Sequence, residues 1–204
     1  MIAIIDYDAG NLRSVEKAFQ AVGEECVITR DYRQIQQADR VILPGVGSFG
    51  MAMEQLKKYE LHKVIREVVD EKKPFLGICL GLQLLFEGSD ESQGVEGLHI
   101  LDGKILRIPD KEGLKIPHMG WNSLDVKENA TLFKGLPENP YVYFVHSYYG
   151  VDCAESTIAT CEYAIEVTAA VQKGNVFGCQ FHPEKSGKVG LSILKAFDEY
   201  TPED

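Results

Sequence analysis

Residues 74–87 read PFLGICLGLQLLFE. The apolar run from Pro74 to Ile78 ends on Cys79, with Gly77 two positions before it and Gly81 two after. A short apolar run next to turn residues predicts a buried strand, and the apolar spacing that starts at Leu80 predicts a helix. The segment therefore passes from strand to helix across a single thiol between glycines. Glycine is required where backbones approach too closely for a Cβ, so G-x-C-x-G is the thiol counterpart of the nucleophile elbow G-x-S-x-G. Such a turn strains the backbone and lifts the sulfur clear of the sheet. It also sets the sulfur at a helix N-terminus, where the dipole and free amides favour thiolate. The plainer reading is a small buried cysteine at a tight turn.

Outward from this segment, the first half of the chain alternates strands and helices. IAIID, CVIT, RVILP and PFLGI read as strands. Between them, NLRSVEKAFQAVG places Leu12, Val15, Phe19 and Val22 on one helical face, a short polar helix falls at 32–38, and GSFGMAMEQLKKYE and LHKVIREVVDEKK form two more helices. That alternation predicts an α/β fold, a mostly parallel sheet between two helical layers. The second half reads as strands at GKILRIP, NSLDVK, YVYFVHSY, STIATCE, AAVQKG and NVFGCQFHPE, which predicts an antiparallel extension of the sheet. A last helix, GKVGLSILKAFDEY, carries a stripe of Val189, Ile193, Leu194 and Phe197, and TPED reads as a frayed acidic tail. With no repeat, linker or compositional break, 204 residues form one domain, 1–204.

Twenty-one Lys and Arg against 31 Asp and Glu give a net charge of -10, which disfavours a nucleic-acid partner. MIAIIDYDAG is apolar for too short a run and lacks the basic flank of a signal peptide, and no segment is expected to enter a membrane. Five cysteines without a CxxC pair or zinc spacing predict reduced thiols in the cytoplasm and no metal.

A thiol nucleophile needs a base, and the base an orienter. FHPEK supplies His182 and Glu184 two positions apart, on one side of an extended chain, with Pro183 favouring that extension. Cys179, at odd separation from His182, is expected in the core. His146 is expected to be structural or to line the substrate, and His62 and His99 to lie at the surface. PGVGSFG holds Gly45, Gly47 and Gly50 in the spacing G-x-G-x-x-G. However, it follows the third strand and not the first, and Glu67 and Asp70, the acidic residues about twenty positions on, fall on a helix. No nucleotide or other cofactor is expected. The better use of this backbone is an oxyanion hole, with Val46 or Gly47 as one amide donor and Leu80 as the other.

Together these pieces resemble the class I (triad-type) glutamine amidotransferases, and the resemblance runs over essentially the whole chain. It is carried by DYDAGNLRSVEKA, LPGVGSFG, GICLGLQLLFE, PHMGWN, YFVHSYY and FHPEKSG. GNLRSV, PHMGWN and HPEKS make it most similar to glutaminase subunits of imidazole glycerol phosphate synthase. The resemblance implies a flavodoxin-like three-layer fold and hydrolysis of L-glutamine through a thioester on Cys79, with His182 and Glu184 completing the triad. By the same match Gln83 contacts glutamine, and Ser147 and Tyr148 hold its amino-acid end. Ammonia would pass to a cyclase subunit, a (βα)₈ barrel, in a heterodimer serving histidine biosynthesis. Asp8 departs from the pattern, which often has Gly there.

For the partner contact, His118, Met119, Trp121 and Asn122 form a loop-like stretch, joined by Tyr143 and by Lys185, which the family match places at the subunit boundary. By composition alone the single tryptophan is a core plug. The triad by itself leaves open a glutaminase of pyridoxal phosphate or purine synthesis, a stand-alone cysteine amidase, and a non-catalytic module.

Overall fold

The computed structural model describes residues 1–128 and 130–202. In the first half, β1 (Ile2–Ile5), α1 (Leu12–Ala21), β2 (Cys26–Thr29), α2 (Tyr32–Gln37), β3 (Arg40–Leu43), α3 (Phe49–Lys58), α4 (Leu61–Asp70) and β4 (Phe75–Ile78) alternate as the apolar pattern predicts. The second half adds α5 (Leu80–Gln83), β5 (Lys104–Arg107), β6 (His118–Ser123), β7 (Asp125–Val126), β8 (Tyr141–His146), β9 (Tyr148–Val151), β10 (Thr157–Tyr163), β11 (Ile165–Lys173), β12 (Val176–Cys179) and α6 (Gly187–Glu199). Thr201 and Pro202 have no regular structure, and the last two residues of the expected tail lie outside the described residues.

The main sheet has eight strands in the order β2-β1-β3-β4-β12-β11-β10-β7. Its first five are parallel, in the flavodoxin-like order with β12 as the fifth strand. From β12 outward the pairing is antiparallel. β1 shows how the sheet divides the core. Ile2 and Ile4 pack with Val15 and Phe19 of α1 and Phe197 of α6, whereas Ala3 and Ile5 pack with Ile35, Phe49, Leu56 and Ile65 on the other face. Alternate residues of a strand point to opposite faces, so a strand covered on both sides must be apolar throughout.

The structure differs from the sequence reading in three places. The antiparallel extension holds only β11, β10 and β7. GKILRIP and YVYFVHSY form instead two separate ribbons, β5–β9 and β6–β8. The helix after Cys79 is a single turn, because the next carbonyls bond elsewhere: Leu84 accepts from the Leu98 amide at 2.8 Å, and Leu85 from the Ile100 and Leu101 amides at 2.9 Å. PHMGWN is no loop: β6 pairs with β8 along its length, His118 opposite His146 and Trp121 opposite Tyr143.

The elbow depends on a backbone approach that only glycine permits. A Cβ on Gly81 would lie 1.7 Å from the Leu43 carbonyl oxygen, and one on Gly77 would lie 2.8 Å from Gly81 backbone atoms. Both obstacles are main chain, so no rotamer relieves them. Gly81→Ala should therefore destabilise the fold by at least about 3 kcal/mol, the upper end of overpacking costs. A urea midpoint unchanged from wild type would show that the elbow does not need this approach.

Candidate active site

β4 and β12 run parallel with Ile78 opposite Cys179, and the Cys79 amide donates to the Cys179 carbonyl at 2.7 Å. Cys79 stands at φ 54°, ψ −110°, a left-handed backbone that costs a non-glycine residue on the order of 1–3 kcal/mol. The neighbouring strand continues past Cys179 through Gln180 and Phe181 to His182, so the two strand ends bring thiol and imidazole to one place. His182 and Glu184 do not meet by projecting from an extended strand. β12 stops at Cys179, and Pro183–Lys185 form a 3-10 turn that folds the carboxylate back. The turn is tied down from both sides. The Ser186 hydroxyl donates to the His182 carbonyl at 2.6 Å and accepts from the Tyr143 amide at 3.0 Å, and the His182 amide donates to the Tyr143 carbonyl at 2.9 Å.

His182 Nδ1 lies 2.7 Å from Glu184 Oε1, with both side chains fully or almost fully buried. The Asn11 side-chain amide, at the left-handed start of α1, donates to the same carboxylate oxygen. His182 Nε2 is left without a closed hydrogen bond and faces the Cys79 sulfur. Burial opposes charge on His182, but its interactions with Cys79 and with the Glu184 carboxylate outweigh it and push its pKa up to about 9.

A cavity of ≈ 270 Å³ opens onto this pair, just below the roughly 300–1,000 Å³ of pockets for drug-sized ligands. It is lined by Val46, Gly47, Cys79, Leu80 and Gln83, by Val145, His146, Ser147 and Tyr148, and by His182. The segments expected to supply nucleophile, base, oxyanion donors and substrate contacts are thus brought together outside the carboxyl ends of the parallel strands, where open α/β sheets bind ligands. Gly47 holds φ 107°, which a residue with a side chain would resist.

Against this geometry, the family model for "Glutamine amidotransferase class-I" matches residues 3–198. The imidazole glycerol phosphate synthase subunit HisH of Bacillus cereus is 52% identical over 198 residues, covering 97% of this chain and 93% of that one. The HisH subunit of Methanocaldococcus jannaschii is 47% identical over 199 residues, 98% and 99% of the two chains. This chain belongs to the class I glutamine amidotransferases, among the HisH subunits. Among solved structures, PurLQS from Thermotoga maritima superposes with a TM-score of 0.75 at 22% identity, over 98% of this chain and 97% of that one. The glutaminase domain of Trypanosoma brucei CTPS gives 0.67 at 16%, over 99% and 96%; at such identities the likeness is one of fold. As a HisH-family glutamine amidotransferase the chain is an enzyme subunit of histidine biosynthesis, which decides the pathway that the triad left open.

In and beside this pocket lie residues that the sequence reading passed over. Glu91 lines it, its carboxylate accepting from the Phe49 amide at 2.9 Å; in GSDESQG it looks like any solvated acidic turn. Asn11 reads as an ordinary helix start. Gln180, buried beside the sulfur, did carry a signal: a polar residue between apolar neighbours at the end of a core strand.

The residues expected at a subunit contact divide by strand alternation. Met119 and Trp121 point outward, 62% and 56% exposed, and Trp121 meets Tyr143 edge-on at 6.1 Å. Trp121 is therefore no core plug. His118 points inward, 3% exposed, stacked on Tyr163 at 4.0 Å and Phe144 at 4.5 Å, so it presents nothing at the surface. Asn122 and Tyr143 are half-buried and Lys185 is exposed. No helix among the described residues is long and apolar enough to cross a membrane.

Because His182 binds its proton more tightly folded than unfolded, the charged ring stabilises the fold fully below about pH 6.5. That contribution is lost as pH rises through about 9. Unfolding free energy measured by urea titration between these limits should fall with pH in wild type, and the slope should be shallower in His182→Asn.

Proposed function

We propose that this pocket hydrolyses the side-chain amide of L-glutamine through a thioester on Cys79. The Cys79 thiolate attacks the amide carbon, and the oxyanion that forms is met by the amide of Leu80 and that of Val46 or Gly47. His182 passes its Nε2 proton to the departing nitrogen, which leaves as ammonia, and the carbonyl remains bonded to sulfur. His182 then takes a proton from water as that water adds to the thioester, and glutamate is released with the thiolate restored. Glu184, held by Asn11, keeps the imidazole oriented throughout. The observation that carries this reading is the convergence of Cys79 and the His182–Glu184 pair on one cavity of single amino-acid size.

The pocket's polar groups suit the rest of glutamine. The Glu91 carboxylate complements an α-ammonium group. At Ser147 and Tyr148 both carbonyls are occupied, the first by the Ile108 amide at 2.9 Å and the second by His146 at 2.8 Å and Gln83 at 3.2 Å. This loop therefore offers an α-carboxylate its peptide N–H groups, with Gln83 beside them.

Ammonia set free in solution would be lost, so the subunit works, in this reading, as a cytoplasmic heterodimer with a barrel-shaped cyclase subunit. The exposed Met119 and Trp121, with Asn122, Tyr143 and Lys185 around them, form the contact. Aromatic and methionine anchors of this kind are enriched in interfaces. His118 belongs beneath this surface and is no longer assigned to it.

Three measurements test the proposal. Glutamine turnover by the chain alone should be low and should rise when the cyclase and its ribonucleotide substrate are added; equal turnover would favour a stand-alone amidase. Covalent labelling by a glutamine-analogue electrophile should vanish in Cys79→Ala. In the active complex kcat/KM should decline on the alkaline side near pH 9 as His182 loses its proton, and activity undiminished well above that pH would remove His182 as the acid.

A further inference from the structure

The Cys79 sulfur has a polar neighbour besides His182. Gln180, with no exposed surface, places its side-chain Nε2 at 3.7 Å from Sγ. Its Oε1 accepts from Gln83 Nε2 at 3.1 Å, and the same Gln83 nitrogen donates to the Tyr148 carbonyl at 3.2 Å. That carbonyl also receives His146 Nδ1 at 2.8 Å. His146 Nε2 lies 2.9 Å from His118 Nδ1, and His118 Nε2 lies 3.3 Å from Asn122 Nδ2. The Asn122 amide group is itself fixed, Nδ2 donating to the Glu162 carbonyl at 3.0 Å and Oδ1 accepting from the Ser123 amide at 2.9 Å.

One atom sets the direction of every link. A peptide carbonyl can only accept, so the groups facing the Tyr148 oxygen must both be N–H. On one side that fixes the Gln83 amide with nitrogen towards Tyr148, hence towards Gln180 Oε1, and so turns the Gln180 nitrogen onto the sulfur. On the other side His146 must carry its proton on Nδ1. A neutral imidazole then has a lone pair on Nε2, which requires the proton of His118 on Nδ1 and leaves His118 Nε2 to accept from Asn122. The end supplied by Asn122 matches this without conflict. Both rings are neutral: burial holds the pKa of His118 down to about 4 and that of His146 to about 3.

We infer that Gln180 is a further catalytic residue, its amide N–H holding the Cys79 sulfur in place for attack. Gln83, His146, His118 and Asn122 are positioning residues that fix its orientation through one directional hydrogen-bond chain. The chain approaches the nucleophile independently of His182 and begins on β6, the strand that carries Met119 and Trp121. A buried donor of this kind favours negative charge on sulfur without supplying a proton to the leaving group, so it complements the imidazole.

The kinetic part rests on the glutaminase reading above; the proton assignments do not. In the active complex Gln180→Met, similar in volume, should lower kcat about ten- to hundredfold with KM for glutamine within about twofold, the scale of one hydrogen bond to a charged group. An unchanged kcat would overturn the role of Gln180. Nitrogen NMR of the full chain at neutral pH should show His118 and His146 both protonated on Nδ1 and bare on Nε2. A proton on Nε2 of either ring overturns the chain. In Asn122→Asp the terminal donor becomes an acceptor, and His118 should gain a proton on Nε2; an unaltered His118 spectrum would also overturn it. If both rings are as assigned but no variant or partner yields glutamine turnover, the reaction reading fails and the chain of bonds stands.

Discussion

The parallel pairing of β4 with β12 is the contact on which the site depends. It joins residues a hundred positions apart, and its last rung, the Cys79 amide on the Cys179 carbonyl, sets the beginning of the elbow beside the end of the other strand. Two of the polar groups near the sulfur follow from that register. Gln180 falls next to Cys79, and His182 arrives after Phe181 has turned into the core. A slip of one residue would turn every side chain of β12 to the opposite face and carry both groups away from the sulfur.

The chain tolerates strain at this junction because the surroundings leave no alternative. Cys79 keeps its left-handed backbone between Gly77 and Gly81, whose mutual approach fills the space where any side chain would stand. The neighbouring Gly47, also at positive φ, lines the same cavity. At the pocket the strain is carried by Cys79, and the apolar strands and helices behind it hold that strain in place.

Three buried histidines near the pocket show that burial keeps a ring neutral unless anionic partners outweigh it. His118 and His146 face each other, a carbonyl and an amide, and stay neutral. His182 faces a carboxylate and the Cys79 sulfur and is held charged. A proton is therefore available at one ring only, and the other two are free to act as fixed donors and acceptors. The same low-polarity interior strengthens both arrangements.

Much of this was legible in the amino-acid order. Short-range periodicity gave the βα alternation, because each strand and helix must bury its own apolar residues. The G-x-C-x-G spacing marked the elbow, because a Cβ on Gly77 would collide with the main chain of the turn itself, although the Leu43 carbonyl that excludes one on Gly81 lies on β3. HPE marked the base and its partner, although a tight turn and not strand alternation brings them together. What the sequence could not decide were matters of long-range pairing. Whether β5, β8 and β9 extend the sheet or form ribbons depends on which edges they meet. Trp121 lies outside and His118 inside only because PHMGWN is a strand against β8. Glu91, Asn11 and Gln180 gain their roles from neighbours distant in the chain, Gln180 by 101 positions from the sulfur it faces. Local chemistry names the residues able to react, and only tertiary packing decides which of them meet.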